Sequence, residues 1–280
     1  MKTILVTGCN GYIGKHVVEY LQSNTTHRII GVDLKKNNEN TNRINYIGLD
    51  FLSVASQKDL FTILGNPDCC IHLAWQDGFN HSAPSHIKNL YSHYSFLQNI
   101  IDAGCKSISV MGTMHEIGFY EGEINANTPC NPLSNYGIAK NALRQLLFSY
   151  CENKNISVKW LRAFYITGDD KNNKSIFAKI MQIAKEGGKT FPFTDGLNKY
   201  DFIDVVTLAS YISQASLQDE INGIINVCSG TPIALKDKVE SFIKEKRLDI
   251  SLEYGAFPSR KYDSPAIWGN SDLIKKIIKK

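Results

Sequence analysis

Residues 7–14 read TGCNGYIG, directly after the apolar run TILVT and at the start of a segment with helical periodicity at Val17, Val18 and Leu21. Gly8, Gly11 and Gly14 recur at three-residue spacing. Glycines placed this way permit a tight turn, close approach of a pyrophosphate and close helix packing, while the helix N-terminus faces the anion. A strand, a glycine loop and a helix in that order belong to a βαβ unit, which demands a parallel sheet. Asp33 ends the next strand-like run, nineteen residues beyond Gly14. A carboxylate there accepts from adenosine ribose hydroxyls and repels a 2′-phosphate, so NAD(H) is favoured. The competing reading of Asp33 is a turn residue, and Lys35 and Lys36 just after it leave NADP(H) possible. Asp50 in GLDF is expected either to accept from the adenine amino group or to cap a helix before Ser53.

The same alternation continues along the chain. TILVT, RIIGV, INYIG, CCIHLA, SISVM and SVKWL are short β-branched or apolar runs, separated by longer stretches of helical period such as Leu97, Ile100 and Ile101, or Leu143, Leu146 and Leu147. This predicts an α/β fold, a Rossmann doubly wound parallel sheet with a smaller C-terminal substrate-binding lobe. The dinucleotide-binding domain is expected over 1–168 plus about 201–230, and the second lobe over about 169–200 plus 231–280. GIINVCSG is expected to supply a strand that rejoins the main sheet.

A chain of 280 residues that is 43% hydrophobic supports a sizeable core. Its formal charge of +4 is too diffuse to argue for nucleic acid, and the basic KKIIKK end reads as a solvated helix terminus. The seven cysteines show no CxxC spacing and an odd count, which fits free thiols in a reducing cytosol. Apolar character breaks at Thr7, too early for a signal peptide, and no run approaches a membrane span. A soluble, cytoplasmic protein without membrane partners is expected.

In YGIAK, Tyr136 and Lys140 are four apart and share a helix face. A tyrosine normally keeps its proton to about pH 10, and a neighbouring ammonium stabilises the phenolate, making the side chain an acid or base nearer neutrality. Alone, this pair is indistinguishable from an exposed helix pair. Together with TGCNGYIG, IHLAW at 71–75, Asn89, DFIDV at 201–205 and NVCSG at 226–230, the whole chain resembles the extended short-chain dehydrogenase/reductase family, specifically enzymes acting on nucleotide sugars.

The resemblance implies Tyr136 as proton donor or acceptor and Lys140 as the residue that binds the nicotinamide ribose and lowers the tyrosine pKa. The family's catalytic Ser or Thr, counted back five from Gly118, falls on Thr113, whose hydroxyl would hold the substrate oxygen. Cofactor contacts are expected from Gly8, Asn10, Gly11, Tyr12, Ile13, Asp33, Asp50, Phe51, Leu73, Ala74, Trp75, Asn89, Tyr136, Lys140 and Phe164. Substrate contacts are expected from Thr113, His115, Tyr165, Phe191, Tyr200 and Arg260. Tyr165 and Tyr200 stand where the family commonly has Asn and Arg, which leaves Arg260 in SRKYD as the preferred diphosphate partner over Lys199 and Lys261. Phe191 and Phe193 either flank the base or pack the small lobe.

The residues after Thr113 discriminate between reactions. The family's 4,6-dehydratases follow this threonine with Asp and Glu, where this chain has Met114 and His115. Methionine transfers no proton, and Glu116, one place further on, would point elsewhere from a strand end. His115 is either a second proton-transfer group or a hydrogen-bond partner of a hydroxyl or loop carbonyl. His81, His86 and His93 lack metal-ligand spacing and are expected to be exposed, with one reaching the sugar at most. Helices from about Ser85 to Ala103 and from Leu133 to Cys151 carry apolar residues on more than one face, which suggests a homodimer through a four-helix bundle. The leading expectation is an NAD(P)H-dependent reductase of a nucleotide-linked 4-keto-6-deoxyhexose. The alternatives are a nucleotide-sugar 4-epimerase with tightly held NAD, and a catalytically silent nucleotide sensor on the same fold.

Overall fold

The structure, a computed structural model, describes residues 1–36, 39–168, 175–258 and 264–279. In chain order the first elements are β1 (Thr3–Thr7), α1 (Gly14–Asn24), β2 (Arg28–Asp33), β3 (Ile44–Gly48), α2 (Leu60–Ile63) and β4 (Cys69–His72). There follow α3 (Ser85–Lys88), α4 (Leu90–Asp102), β5 (Ser107–Thr113), β6 (Gly122–Ile124), α5 (Asn135–Cys151), β7 (Ser157–Ala163) and β8 (Tyr165–Thr167). The remainder comprises α6 (Ile176–Lys185), β9 (Thr190–Pro192), β10 (Lys199–Asp204), α7 (Val205–Leu217) and β11 (Gly223–Val227), then β12 (Pro232–Ala234), α8 (Leu235–Glu245), β13 (Ser251–Glu253), β14 (Ala266–Gly269) and α9 (Asp272–Ile278).

Every run expected as a strand is one. Seven of them form a single parallel sheet in the order β11-β7-β5-β4-β1-β2-β3. The order reverses between β1 and β4, so the C-terminal ends of these two strands open a crevice, the usual ligand position in a doubly wound sheet. Alternation along each strand splits the core into two layers. Ile4, Val6, Ile29 and Ile71 pack with Val17 and Leu21 of α1 and Leu208 and Ile212 of α7. Leu5, Ile30, Val32 and Cys70 face the other way, onto Leu97 and Ile100 of α4 and Leu143 and Leu147 of α5. Each such leucine contributes about 2 kcal/mol by leaving water.

A second lobe is built on a sheet ordered β12-β10-β14-β6, with β8 pairing β10, and on the short β13-β9 pair. Its own core includes Phe177, Ile180, Phe202, Val239 and Ile267. Two boundaries differ from expectation. The helix expected over about 85–103 breaks at Asn89, which caps α3 and starts α4. The last helix, α9, buries Ile274 and Ile277 in the first core beside α1 and α7 and not in the second lobe, because its apolar side finds the open end of the main sheet next to β11.

Candidate active site

The glycine loop leaves β1 with Gly8 at φ +70°, and a Cβ there would lie 2.8 Å from backbone atoms of Ala74. The loop is thus pressed against the end of β4, a closeness that only glycine permits. Asp33, at the end of β2, is half-buried. One carboxylate oxygen accepts from the Asn10 amide at 2.9 Å and the other from the Leu34 amide at 2.8 Å. Each oxygen keeps a lone pair for a further donor, so the cradle fits a dinucleotide whose ribose hydroxyls reach Asp33. Asn10 is anchored through Nδ2 to the Lys35 carbonyl, and the Tyr12 hydroxyl donates to the Gly168 carbonyl at 2.6 Å. Ile13 packs against the first core. Asp50 is exposed just past β3, where its carbonyl accepts from both the amide and the hydroxyl of Ser53.

Thr7 ties β1 to β4: its hydroxyl accepts from the Ala74 amide and bonds His72 Nδ1 at 2.9 Å, while the Leu73 amide donates to its carbonyl. Asn89 donates to Gln76 across the β4 to α3 loop. Phe51 and Phe164 were expected at the cofactor, yet both rings are packed away. Phe51 lies against Phe96 and His72, and Phe164 sits in the second-lobe core.

Beyond β5 the chain turns through Met114–Glu116. The Thr113 side chain accepts from the His115 amide, and Glu116 reaches back to the Thr113 amide. This reciprocal cap fixes the direction in which Thr113 leaves the strand. Helix α5 starts at the Ser134 cap and carries Tyr136, half-buried, and Lys140, buried, one turn apart. The Tyr136 amide donates to the His81 carbonyl, so the 76–84 loop is tied to the helix start. Burial pushes the Tyr136 phenol up to about 12, while a hydrogen bond with Thr113 pulls it the other way and the Glu116 charge adds to the rise. Lys140 is not among these causes. Lys140 donates from Nζ to the Met111 carbonyl at 2.8 Å and lies 3.8 Å above the Trp75 ring. Burial brings its ammonium down to about 7, opposed by Glu116.

The histidines correct a second expectation. His86 and His93 are buried, at 1% exposure each, and His81 is half-buried. The 76–84 loop lies over the start of α5, held by the Tyr136 amide on the His81 carbonyl and by Asn135 Nδ2 on the Ser82 carbonyl. His81 then stacks on the Tyr136 ring at 4.9 Å, and His115 meets His81 edge-on at 4.3 Å. Trp75 stacks on His93 at 4.5 Å and donates its indole N–H to His86 Nδ1 at 2.9 Å. His93 Nδ1 bonds His72 Nε2 at 2.9 Å. Burial lowers the proton affinity of His72, His81, His93 and His115, to about 3 for His93 and His115. These imidazoles are neutral at pH 7, and no group of three or more ligands suited to a metal ion occurs among the described residues.

On the substrate side, the Tyr165 and Tyr200 rings meet tilted at 32° with centroids 4.2 Å apart. Phe191 and Phe193 are buried in the second-lobe core, in keeping with packing. Arg260 and Lys261 lie outside the described residues, and Lys199 is exposed at the start of β10. The model of the NAD dependent epimerase/dehydratase family matches residues 4–228.

The chain belongs to that family. It is an NAD(P)-dependent oxidoreductase of the extended short-chain dehydrogenase/reductase type, with NAD favoured by the family's own chemistry. It is 44% identical over 269 residues to a dTDP-6-deoxy-L-talose 4-dehydrogenase (NAD(+)) of Aggregatibacter actinomycetemcomitans, covering 95% of this chain and 98% of the relative. A GDP-6-deoxy-D-talose 4-dehydrogenase from the same organism is 24% identical, covering 98% and 90%. Among solved structures, a UDP-N-acetylglucosamine 4-epimerase from Methanobrevibacter ruminantium M1 superposes with a TM-score of 0.83 at 22% identity, covering 99% of this chain and 91% of that one. At that identity the likeness is one of fold. No helix among the described residues is long and apolar enough to cross a membrane.

Sequence reasoning missed His81 and Glu116 as neighbours of Tyr136 and Thr113. For Glu116 the signal was present: Thr-x-x-Glu is the pattern of a reciprocal cap. For His81 no local pattern exists, because the contact depends on how the loop folds back.

Proposed function

We propose that the protein is an NADH-dependent reductase of a dTDP-linked 4-keto-6-deoxyhexose, working at C4 and reversible as a dehydrogenase. The observation that carries this reading is the placement of Thr113, at the end of β5, and Tyr136, at the start of α5, at the C-terminal edge of the sheet, with the Thr113 side chain near enough to pull the Tyr136 proton affinity down, in the same crevice as the glycine cradle. The 44% identical relative supports the choice of C4 and of dTDP. Bound NADH supplies the hydride. Thr113 and Tyr136 hold the ketone oxygen, and as charge develops on it Tyr136 transfers its proton. A phenol raised to about 12 keeps that proton at neutral pH, which suits the reductive direction. Lys140 keeps N–H donors beyond the one given to Met111, which supports its role in holding a ribose hydroxyl. Neutral His81 and His115 border the same ring and offer uncharged hydrogen bonds to sugar hydroxyls.

Met114 is buried and carries no proton-transfer group, so the site lacks the acid and base of a 4,6-dehydratase. The 4-epimerase reading draws on more distant relatives, an uncharacterized UDP-glucose epimerase YtcB of Bacillus subtilis at 29% identity over 71% of this chain and 67% of the relative, and UDP-arabinose 4-epimerase 1 of Arabidopsis thaliana at 23%. A homodimer stands as a proposal from the exposed Tyr91, Ile138 and Leu146 on α4 and α5. A sedimentation mass of one chain at micromolar concentration would remove it. The functional test is NADH and NADPH oxidation against 4-keto-6-deoxy sugars on dTDP, CDP, GDP and UDP, with NMR of the product. Turnover with the dTDP sugar and NADH supports the reading. Conversion of a UDP-hexose without added NADH contradicts it.

A further inference from the structure

We propose that Glu116 is a positioning residue for Thr113, Tyr136 and Lys140: its buried carboxylate fixes the strand end that presents Thr113 and sets the field in which the other two hold their protons. The proposal rests on the reading above for what those three residues do. It adds a side chain that lies outside the Tyr-Lys motif.

Glu116 is fully buried. Its Oε1 accepts from the Thr113 amide at 2.7 Å and from the Trp160 indole N–H at 2.8 Å. Its Oε2 lies 3.5 Å from Arg162 Nη2 and 3.8 Å from Arg144 Nε. The partners come from three elements, since Thr113 ends β5, Trp160 and Arg162 lie on β7, and Arg144 is on α5 two turns beyond Tyr136. Gly112 makes the cluster possible, because a Cβ there would sit 2.1 Å from Trp160 Nε1 and 2.8 Å from Glu116 Oε1. A turn at a strand end needs no buried charge, and taking a carboxylate out of water costs several kcal/mol unless it is well paired. Here the pairing reaches the helix that carries Tyr136 and Lys140, and the carboxylate raises the proton affinity of both. The other titratable or charged groups facing this pair are His81 and His86 from the 76–88 segment, His115 from the turn, His72 from β4 and His93 from α4. All five are imidazoles, and the four with a lowered proton affinity are neutral.

The test reads Lys140 directly, without substrate. In protein labelled with 13C at lysine Cε, the Lys140 signal is assigned by its loss in Lys140→Arg and followed against pH. Glu116→Gln keeps an acceptor for Thr113 and Trp160 but removes the charge, and the Lys140 midpoint is expected to fall from about 7 by about half a pH unit or more. Arg144→Gln strips Glu116 of one cation, and the midpoint is expected to rise. If Glu116→Gln alone does not fold, the double variant Glu116→Gln/Arg144→Gln is read against Arg144→Gln, and the lower midpoint is expected in the double variant. A Lys140 midpoint that stays at the parent value in the folded variants overturns the proposal and leaves Glu116 a scaffold residue. Absence of turnover across the sugar-nucleotide panel would instead sink the functional reading, with the Lys140 titration still measurable.

Discussion

The glycine cradle and the surroundings of Tyr136 lie at the same edge of one sheet, and they are made of different material. The cradle is backbone: the Gly8 turn against Ala74, amides donating to Asp33, a helix N-terminus. The Tyr136 pocket is side chain: five imidazoles, one indole, one buried ammonium and a carboxylate between two guanidinium groups. Backbone recognition tolerates changes in neighbouring residues as long as the turn survives. A pocket of stacked neutral rings is tuned by each residue in it, which is where selectivity for one sugar chemistry would reside.

The two regions are therefore expected to fail differently. Tyr136→Phe should lower turnover by about 10³-fold or more while NADH binding, followed by its fluorescence, stays near the parent value. A variant that lost cofactor binding as well would show that the regions are not separable. Asp33→Ala should act in the opposite sense, raising KM for NADH by about 10- to 100-fold, the loss of charge-assisted hydrogen bonds, with kcat little changed and the preference over NADPH narrowed. Equal KM values for NADH in variant and parent would remove Asp33 from the cradle.

Most of the fold was legible because the alternation of apolar strands and periodic helices is a local signal. The cradle was legible for a related reason, since a turn as tight as the one at Gly8 demands a particular residue type. The pocket was less so. His86 and His93 look polar in sequence, and it is Trp75 stacked on both rings, with His72 and the Asn80 carbonyl as their polar partners, that encloses them. Glu116 meets Arg162 across 46 residues and Trp160 across 44, and no spacing rule links such distant positions. The helix α9 was misassigned because Ile274 and Ile277 make an apolar side that would suit either core.

Buried histidines also give the pocket a pH dependence that the cradle lacks. An unfolded histidine takes a proton near pH 6.5, whereas His93 in the fold resists it down to about 3 and His72 is likewise held well below its ordinary value. Stability is thus complete above pH 6.5 and is lost as pH falls from there toward 3. At pH 5 His93 alone should cost about 2 kcal/mol. Thermal unfolding between pH 7.5 and 5 should show a falling Tm, and a flat profile would mean that these rings are not held neutral. The smallest effect is expected for His115→Gln, which keeps a hydrogen-bonding group beside Tyr136. A severalfold fall in kcat would mark His115 as a substrate contact, while a loss as large as that of Tyr136→Phe would make it a second proton-transfer group.

The most direct measurement follows deuterium from NADH labelled at nicotinamide C4 on the transferring face, with a dTDP-4-keto-6-deoxyhexose as substrate. A reductase yields one oxidised cofactor per product and deuterium at sugar C4. Product formed without net cofactor oxidation, and without label at C4, would contradict it.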